Sequence, residues 1–247
     1  MTPNDTHHAG EPAGVGPLPD PHTLLHGTDW NSLRHAYGPA EDTPSTLAKL
    51  MDDEPMVRAY ALEHLSHTVY HQNSIYPATV PTTLYLAAIL SEPWAATALV
   101  DERIRSRAVP PRPLRVLLLD RLGEIASDIK DAVVARPECS CSSLAGYPEM
   151  AELRAQRPVI LQAVSAFLHD PDPATRHAAA IAAALLLDRP DLIRRADLLS
   201  LIQAASVEAT DERQRERAAD ILDACATQTE NATPCGSDPW CSSIPQR

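Results

Sequence analysis

Asp52-Asp53-Glu54-Pro55-Met56-Val57-Arg58 separates two helical patterns, and the reading of this stretch decides the fold. An apolar pattern enters it through Leu47, Leu50 and Met51. A longer one leaves it through Val57, Tyr60, Ala61, His64, Leu65, Thr68 and Val69. Carboxylates at a helix start accept its unpaired amides and suit its positive end, and proline fits a first turn that needs no amide donor. The turn returns as Asp170-Pro171-Asp172-Pro173-Ala174-Thr175-Arg176, with Pro173 in the place of Pro55 and Arg176 in the place of Arg58. Asp53, Pro55 and Arg58, and then Asp172, Pro173 and Arg176, are therefore the expected turn residues. The two arginines are expected to bond carboxylates or carbonyls of neighbouring turns.

Composition narrows the rest. Hydrophobic residues make up 44% of the 247, but aromatics only 4%, with Phe167 the single phenylalanine, so the core must be built from Leu, Ala, Ile and Val. Such a core suits closely packed helices. No GxGxxG or GxxxxGK[ST] occurs, and without a phosphate cradle nucleotide-dependent chemistry is not expected. The net charge is -12, and lysine occurs only at 49 and 130, which disfavours nucleic acid and anionic lipid as partners. Residues 101–121 run against that trend, with Arg103, Arg105, Arg107, Arg112, Arg115 and Arg121 against three acids; a solvated helix face with a basic loop is the expected reading. A basic-then-apolar leader is missing, as is any run of 18 apolar residues, so a soluble cytoplasmic protein is expected.

Taken in order, residues 1–28 hold five prolines and four glycines and read as a disordered leader. Asp29 is expected to cap a short helix through Tyr37, stopped by Gly38-Pro39. Helices are expected from Thr43, over 55–72, through Leu84 to Ile89, from Pro93 and over 114–135. Others follow over 148–156, 158–169, 173–187, 195–206 and 211–226, with a loose tail over 227–247. No strand-like alternation is found. The fold class expected is all-α: an α-solenoid of helical hairpins repeating about every 40 residues, over 29–226.

The two acid-Pro-x-x-Arg turns resemble those of HEAT repeats. Asp29-Trp30, Leu33-Arg34-His35-Ala36-Tyr37-Gly38, Val57-Arg58, Tyr70-His71-Gln72 and Tyr76-Pro77-Ala78-Thr79 are similar to a group of actinobacterial HEAT-repeat proteins. The resemblance covers about residues 29–90 and, less closely, 150–190. It implies a curved stack of HEAT-like hairpins, with the helix after each turn on the concave face, and a protein- or peptide-binding role. It implies no reaction.

Candidate site residues follow from the helix over 55–72. At 100° per residue Tyr60, His64, His67 and His71 fall within about 60° of one another beside the core face. The 118-residue offset puts Ala178, Ala182, Leu185 and Arg189 at those places, so packing alone does not require the stripe. With Gln72 and Tyr76 it is the expected groove lining. An enzyme or small-ligand binder using this groove is the alternative. His64 and His71 lie about 10.5 Å apart along a helix, so one helix cannot gather three metal ligands here. The repeated His-Glu pairs of HEAT-like deoxyhypusine hydroxylase are absent, and only the reversed Glu63-His64 occurs. Cys139-x-Cys141 and Cys235-x5-Cys241, with Cys225, lack paired CxxC spacing and are expected to be free thiols. The basic channel of HEAT-like alkylpurine DNA glycosylases would have to be built from Arg103, Arg105, Arg107, Arg112 and Trp94, against the net charge, and nothing carries over from bilin lyases. No cofactor or metal is expected.

Overall fold

A computed structural model describes residues 17–102, 110–130 and 146–227. The chain is mostly helical. Its helices are α1 (Pro21–Gly27), α2 (Thr43–Ala48), α3 (Pro55–Thr68), α4 (Thr79–Ala88), α5 (Pro93–Thr97) and α6 (Leu114–Asp128). After 131–145 come α7 (Pro148–Ala155), α8 (Arg157–Ser165), α9 (Pro173–Leu187), α10 (Pro190–Arg195), α11 (Leu199–Glu208) and α12 (Glu212–Thr227).

The centre of the core is α9. Its sequence, PATRHAAAIAAALLL, is apolar on every side from Ala178 onward, and those residues are all buried. A helix of that kind has to be surrounded: α9 packs against α6, α8, α10, α11 and α12. Alanine keeps its sides flat, and Gly123 of α6 answers it. A methyl group at Gly123 would stand 3.3 Å from Leu185 Cδ1 and 3.4 Å from Ala182 Cα, so the two backbones approach as closely as they can. Leu118, Leu119 and Leu122 of α6 are also fully or almost fully buried, and α6 packs against α4 as well.

The Asp-rich turns start two helices with an arginine in the fourth position. Arg58 bonds the carbonyl of Asp52 and also, through Nε, that of Leu99 (2.7 Å), a residue one hairpin further on. Arg176 bonds the carbonyl of Asp170 (2.7 Å). A third copy, unmarked by proline, begins α12: Arg215, 39 residues after Arg176, bonds the carbonyl of Ala209 (2.6 Å). In each case the guanidinium satisfies a carbonyl six residues back, at the end of the preceding segment. The capping differs from expectation in the first copy. Asp172 caps α9 by accepting the Thr175 amide (2.9 Å), whereas Glu54 caps nothing and Asp52 accepts the Glu54 amide instead (2.9 Å).

Several boundaries depart from the sequence reading. The expected leader of 1–28 is shorter, because Asp20 caps α1 and that helix buries Leu24 and Leu25 against the domain; residues 1–16 lie outside the described part. The expected helix over 29–37 is a tight hairpin, β1 (Arg34–His35) with β2 (Gly38–Pro39). Its backbone bonds outward: the Ala36 amide to Thr68 and the Ala78 amide to the Arg34 carbonyl. Gly38, at φ 142°, makes the turn a side chain would oppose. A second antiparallel pair joins β3 (Leu99–Val100) and β4 (Arg112–Pro113). The expected helix to residue 72 ends at Thr68, where Tyr70 turns inward and leaves Gln72 and Asn73 at φ 50° and 61°.

Candidate functional site

The outward side of α6 carries Asp120, Arg121, Glu124, Ser127 and Asp128, with Lys130 just beyond its end. It forms the floor of a groove, roughly 12 Å long from Asp120 to Asp128 at the helical rise. One wall is α3 and the His71–Asn73 turn; the other is α12. Three adjoining clefts make up the groove. The narrow one lies among Leu62, Glu63, Arg112, Asp120 and Gln214. The middle one, about 440 Å³, is bounded by Ser66, His67, Tyr70, His71, Gln72 and Asp128. The far one has an apolar wall of Leu185, Ile193 and Ile221 facing Lys130 and Asp220. Arg217 lines all three; Arg121 and Glu124 are common to the first two and Ser127 to the last two.

At the narrow end, the Arg112 guanidinium serves three carboxylates. Glu102 accepts from Nε at 3.0 Å, and Asp211 and Asp120 meet Nη1 at 2.7 and 3.3 Å. Gln214 donates to the other oxygen of Asp120 (2.7 Å). Burial by itself would lower the Arg112 pKa, but Asp120, Glu102 and Asp211 together raise it. Asp120 fares differently. Burial pushes its carboxyl up to about 6, because it receives only a share of Arg112 and is repelled by Asp211 and Glu124. The two shifts agree once the ratio is considered: one cation collects three attractions, and each anion must divide one.

This shift has a sign. A carboxyl whose folded pKa lies above its unfolded value of 3.8 binds more protons in the folded state, so its contribution falls as pH rises from about 4 to about 6 and stays unfavourable above. Asp120→Asn keeps an oxygen for Gln214 and removes the buried charge. It is expected to melt several degrees above the parent at pH 7.5 and to lose most of that advantage at pH 5, as followed by circular dichroism. Equal melting at pH 7.5 would mean that the Arg112 contact offsets the burial.

In the middle cleft, Arg121 Nη1 and Arg217 Nη2 meet the two oxygens of Glu124 at 2.7 and 2.9 Å. The Arg121 guanidinium also lies over the Tyr70 ring, 6.0 Å from its centre. The Tyr70 hydroxyl bonds the Asp128 carboxylate and lies 3.1 Å from the Glu124 carbonyl. Burial, then Asp128, pushes the Tyr70 pKa well up. Burial likewise raises Asp128, with the Tyr70 hydroxyl opposing, and lowers Lys130.

The residues anticipated as groove lining divide between two places. His67, His71 and Gln72 line the middle cleft. Tyr60 is 60% exposed on the outer side of α3, and His64 turns away to Asp42 (3.1 Å). Asp42 also receives His35 (3.0 Å), whose Nδ1 accepts the Tyr37 amide (3.1 Å), so the His35 ring proton sits on Nε2 and points at the carboxylate. Burial would raise the Asp42 pKa, but the hydrogen bonds from His64 and His35 outweigh it and hold it low. Tyr76 is half-buried at the start of α4, its amide donating to Thr79 Oγ1 (2.8 Å). His67 gives its Nδ1 to the Glu63 carbonyl (2.8 Å).

Among the described residues, no group of three or more His, Cys, Asp or Glu is placed to hold a metal ion. Cys225 is buried with a free thiol, while Cys139, Cys141, Cys235 and Cys241 lie outside the described part. So do Arg103, Arg105 and Arg107 of the basic stretch. Its remaining arginines are not a solvated face: Arg112 and Arg121 line the groove, and Arg115 bonds the carbonyls of Leu90 (3.0 Å) and Glu92 (3.2 Å) while covering the Phe167 ring. No described helix is long and apolar enough to cross a membrane. Comparison with protein-family models, curated proteins and solved structures gives no match.

Proposed function

We propose that the chain is an α-solenoid of HEAT-like hairpins that binds a segment of another protein in the groove over α6. The supporting observation is the continuity of the three clefts along one helix, with Arg217 common to all of them. An open channel of mixed polarity suits an extended peptide. Its apolar far wall takes a side chain, and its charged floor supplies the specific polar contacts. The arginine-started helices α3, α9 and α12 support the repeat reading. Protein is favoured over nucleic acid because Arg112, Arg121 and Arg217 all sit against carboxylates, in a chain of net charge -12.

The test is site-specific photocrosslinking in the source cells. A benzophenone side chain at Ser127, on the groove floor, is expected to capture a discrete partner. The same group at Gln203, exposed on α11, is expected to capture none. Equal capture from both positions, or capture from Gln203 alone, would remove the groove as the binding surface.

A further inference from the structure

The middle of the groove sets two guanidiniums against one carboxylate. Arg121 comes from α6 and Arg217 from α12, and each oxygen of Glu124 takes one of them. Among the described residues neither arginine forms an ion pair with a second carboxylate. A guanidinium presents five donors in one plane, and here a single nitrogen of each is engaged. All three side chains are partly buried, and the Tyr70 ring supports Arg121 from one side. The other acid of this cleft, Asp128, is turned onto the Tyr70 hydroxyl. At the narrow end three acids already share Arg112. Two guanidiniums with fixed donors therefore converge on one cleft, where Glu124 and Asp128 balance their charge, in a chain of net charge -12. Glu124 holds one guanidinium on each of its oxygens.

Resting on the reading of the groove as a peptide site, we propose that the Arg121–Arg217 pair captures an anionic side chain, carboxylate or phosphate, of the bound partner segment. The incoming oxyanion bridges the nitrogens that Glu124 leaves open. Bidentate and charge-assisted bonds of this kind are the strong ones. Glu124 plays two opposed parts, since it orders the arginines and also competes for them.

That opposition gives the test. Fluorescence anisotropy of the intact chain is measured with labelled glycine–serine octapeptides carrying two central glutamates, two phosphoserines or two lysines. The glutamate and phosphoserine probes are expected to bind and the lysine probe to bind at least about tenfold more weakly. Tighter binding of one acidic probe identifies the side chain as carboxylate or phosphate. Arg121→Gln and Arg217→Gln are each expected to weaken the better probe by roughly tenfold. Glu124→Gln is expected to tighten it severalfold, a sign that a merely structural role would not produce. Arg34→Gln, an exposed arginine of β1 that lines none of the three clefts, leaves binding unchanged. Should either arginine variant fail to fold by circular dichroism, the other and Glu124→Gln still decide. Equal binding of the lysine probe, weakening by Glu124→Gln, no binding of any probe, or inorganic phosphate binding as tightly as the phosphoserine peptide would each overturn the inference. A partner captured from Ser127 whose capture survives both arginine substitutions would sink this inference and leave the groove reading standing. Loss of capture with intact probe binding would do the reverse.

Discussion

Ala182→Leu is expected to destabilise the chain by about 1–3 kcal/mol, lowering the melting temperature by roughly 2–4 °C for each kcal/mol in a chain of this size. Ala182 is 1% exposed and faces Gly123 where α6 and α9 come closest. Leucine there has no free volume to enter, so either the helices separate or its rotamer is strained. The cause is specific, and a control isolates it. Ala196→Leu, in the turn after α10 where the alanine is only partly buried, adds the same atoms and should change melting by less than about 0.5 kcal/mol. Equal melting of Ala182→Leu and the parent would show that the helices separate without cost and that the close approach is not a source of stability.

Arg58→Ala is the second large effect, expected at about 1.5–3 kcal/mol, the range for a buried hydrogen bond to a charged group. The side chain is 6% exposed and satisfies two carbonyls, Asp52 behind it and Leu99 one hairpin ahead. Truncation leaves both carbonyls without a partner. Arg176→Ala is expected to cost less than half as much. Its side chain is only partly buried and bonds the carbonyls of its own turn, Asp170 and Pro171. Thermal melts of the two variants side by side test the ordering. The reverse order would mean that contact with the neighbouring hairpin contributes nothing beyond the local turn.

Most of the helices were legible in the sequence because their marks are local; α1, inside the expected leader, and α10 were not. Pro55, Pro93 and Pro173, each with an acid before it, and Pro148 announce helix starts, and α9 is recognisable from its alanines alone. The misread segments share a different property. Residues 34–40 give their backbone bonds to Thr68 and Ala78, and residues 69–73 follow Tyr70 toward Asp128, so distant partners decide their conformation. The third arginine-started helix was expected, but no proline marks its turn as a copy of the other two; the arginine and its carbonyl partner carry the geometry.

The candidate site was legible only in part. His67, His71 and Gln72 reach the groove, but its floor is the polar side of α6, and nothing in the sequence says what faces that side. A signal existed: Asp120, Glu124 and Asp128 recur every fourth residue opposite Leu118, Leu122 and Ile125, like charges at a spacing where they repel on a lone helix. What could not be read was that Arg217, 93 residues beyond Glu124, would come back to meet it.

The position of α9 also bears on how the chain comes apart. In an extended stack each unit touches only its neighbours, and an end can fray while the middle survives. Here one apolar helix is covered at once by α6, α8, α10, α11 and α12, which come from both halves of the chain. Shedding the C-terminal helices would bare α9, and losing α6 would do the same from the other side. Thermal unfolding is therefore expected as a single transition, with circular dichroism and tryptophan fluorescence coinciding.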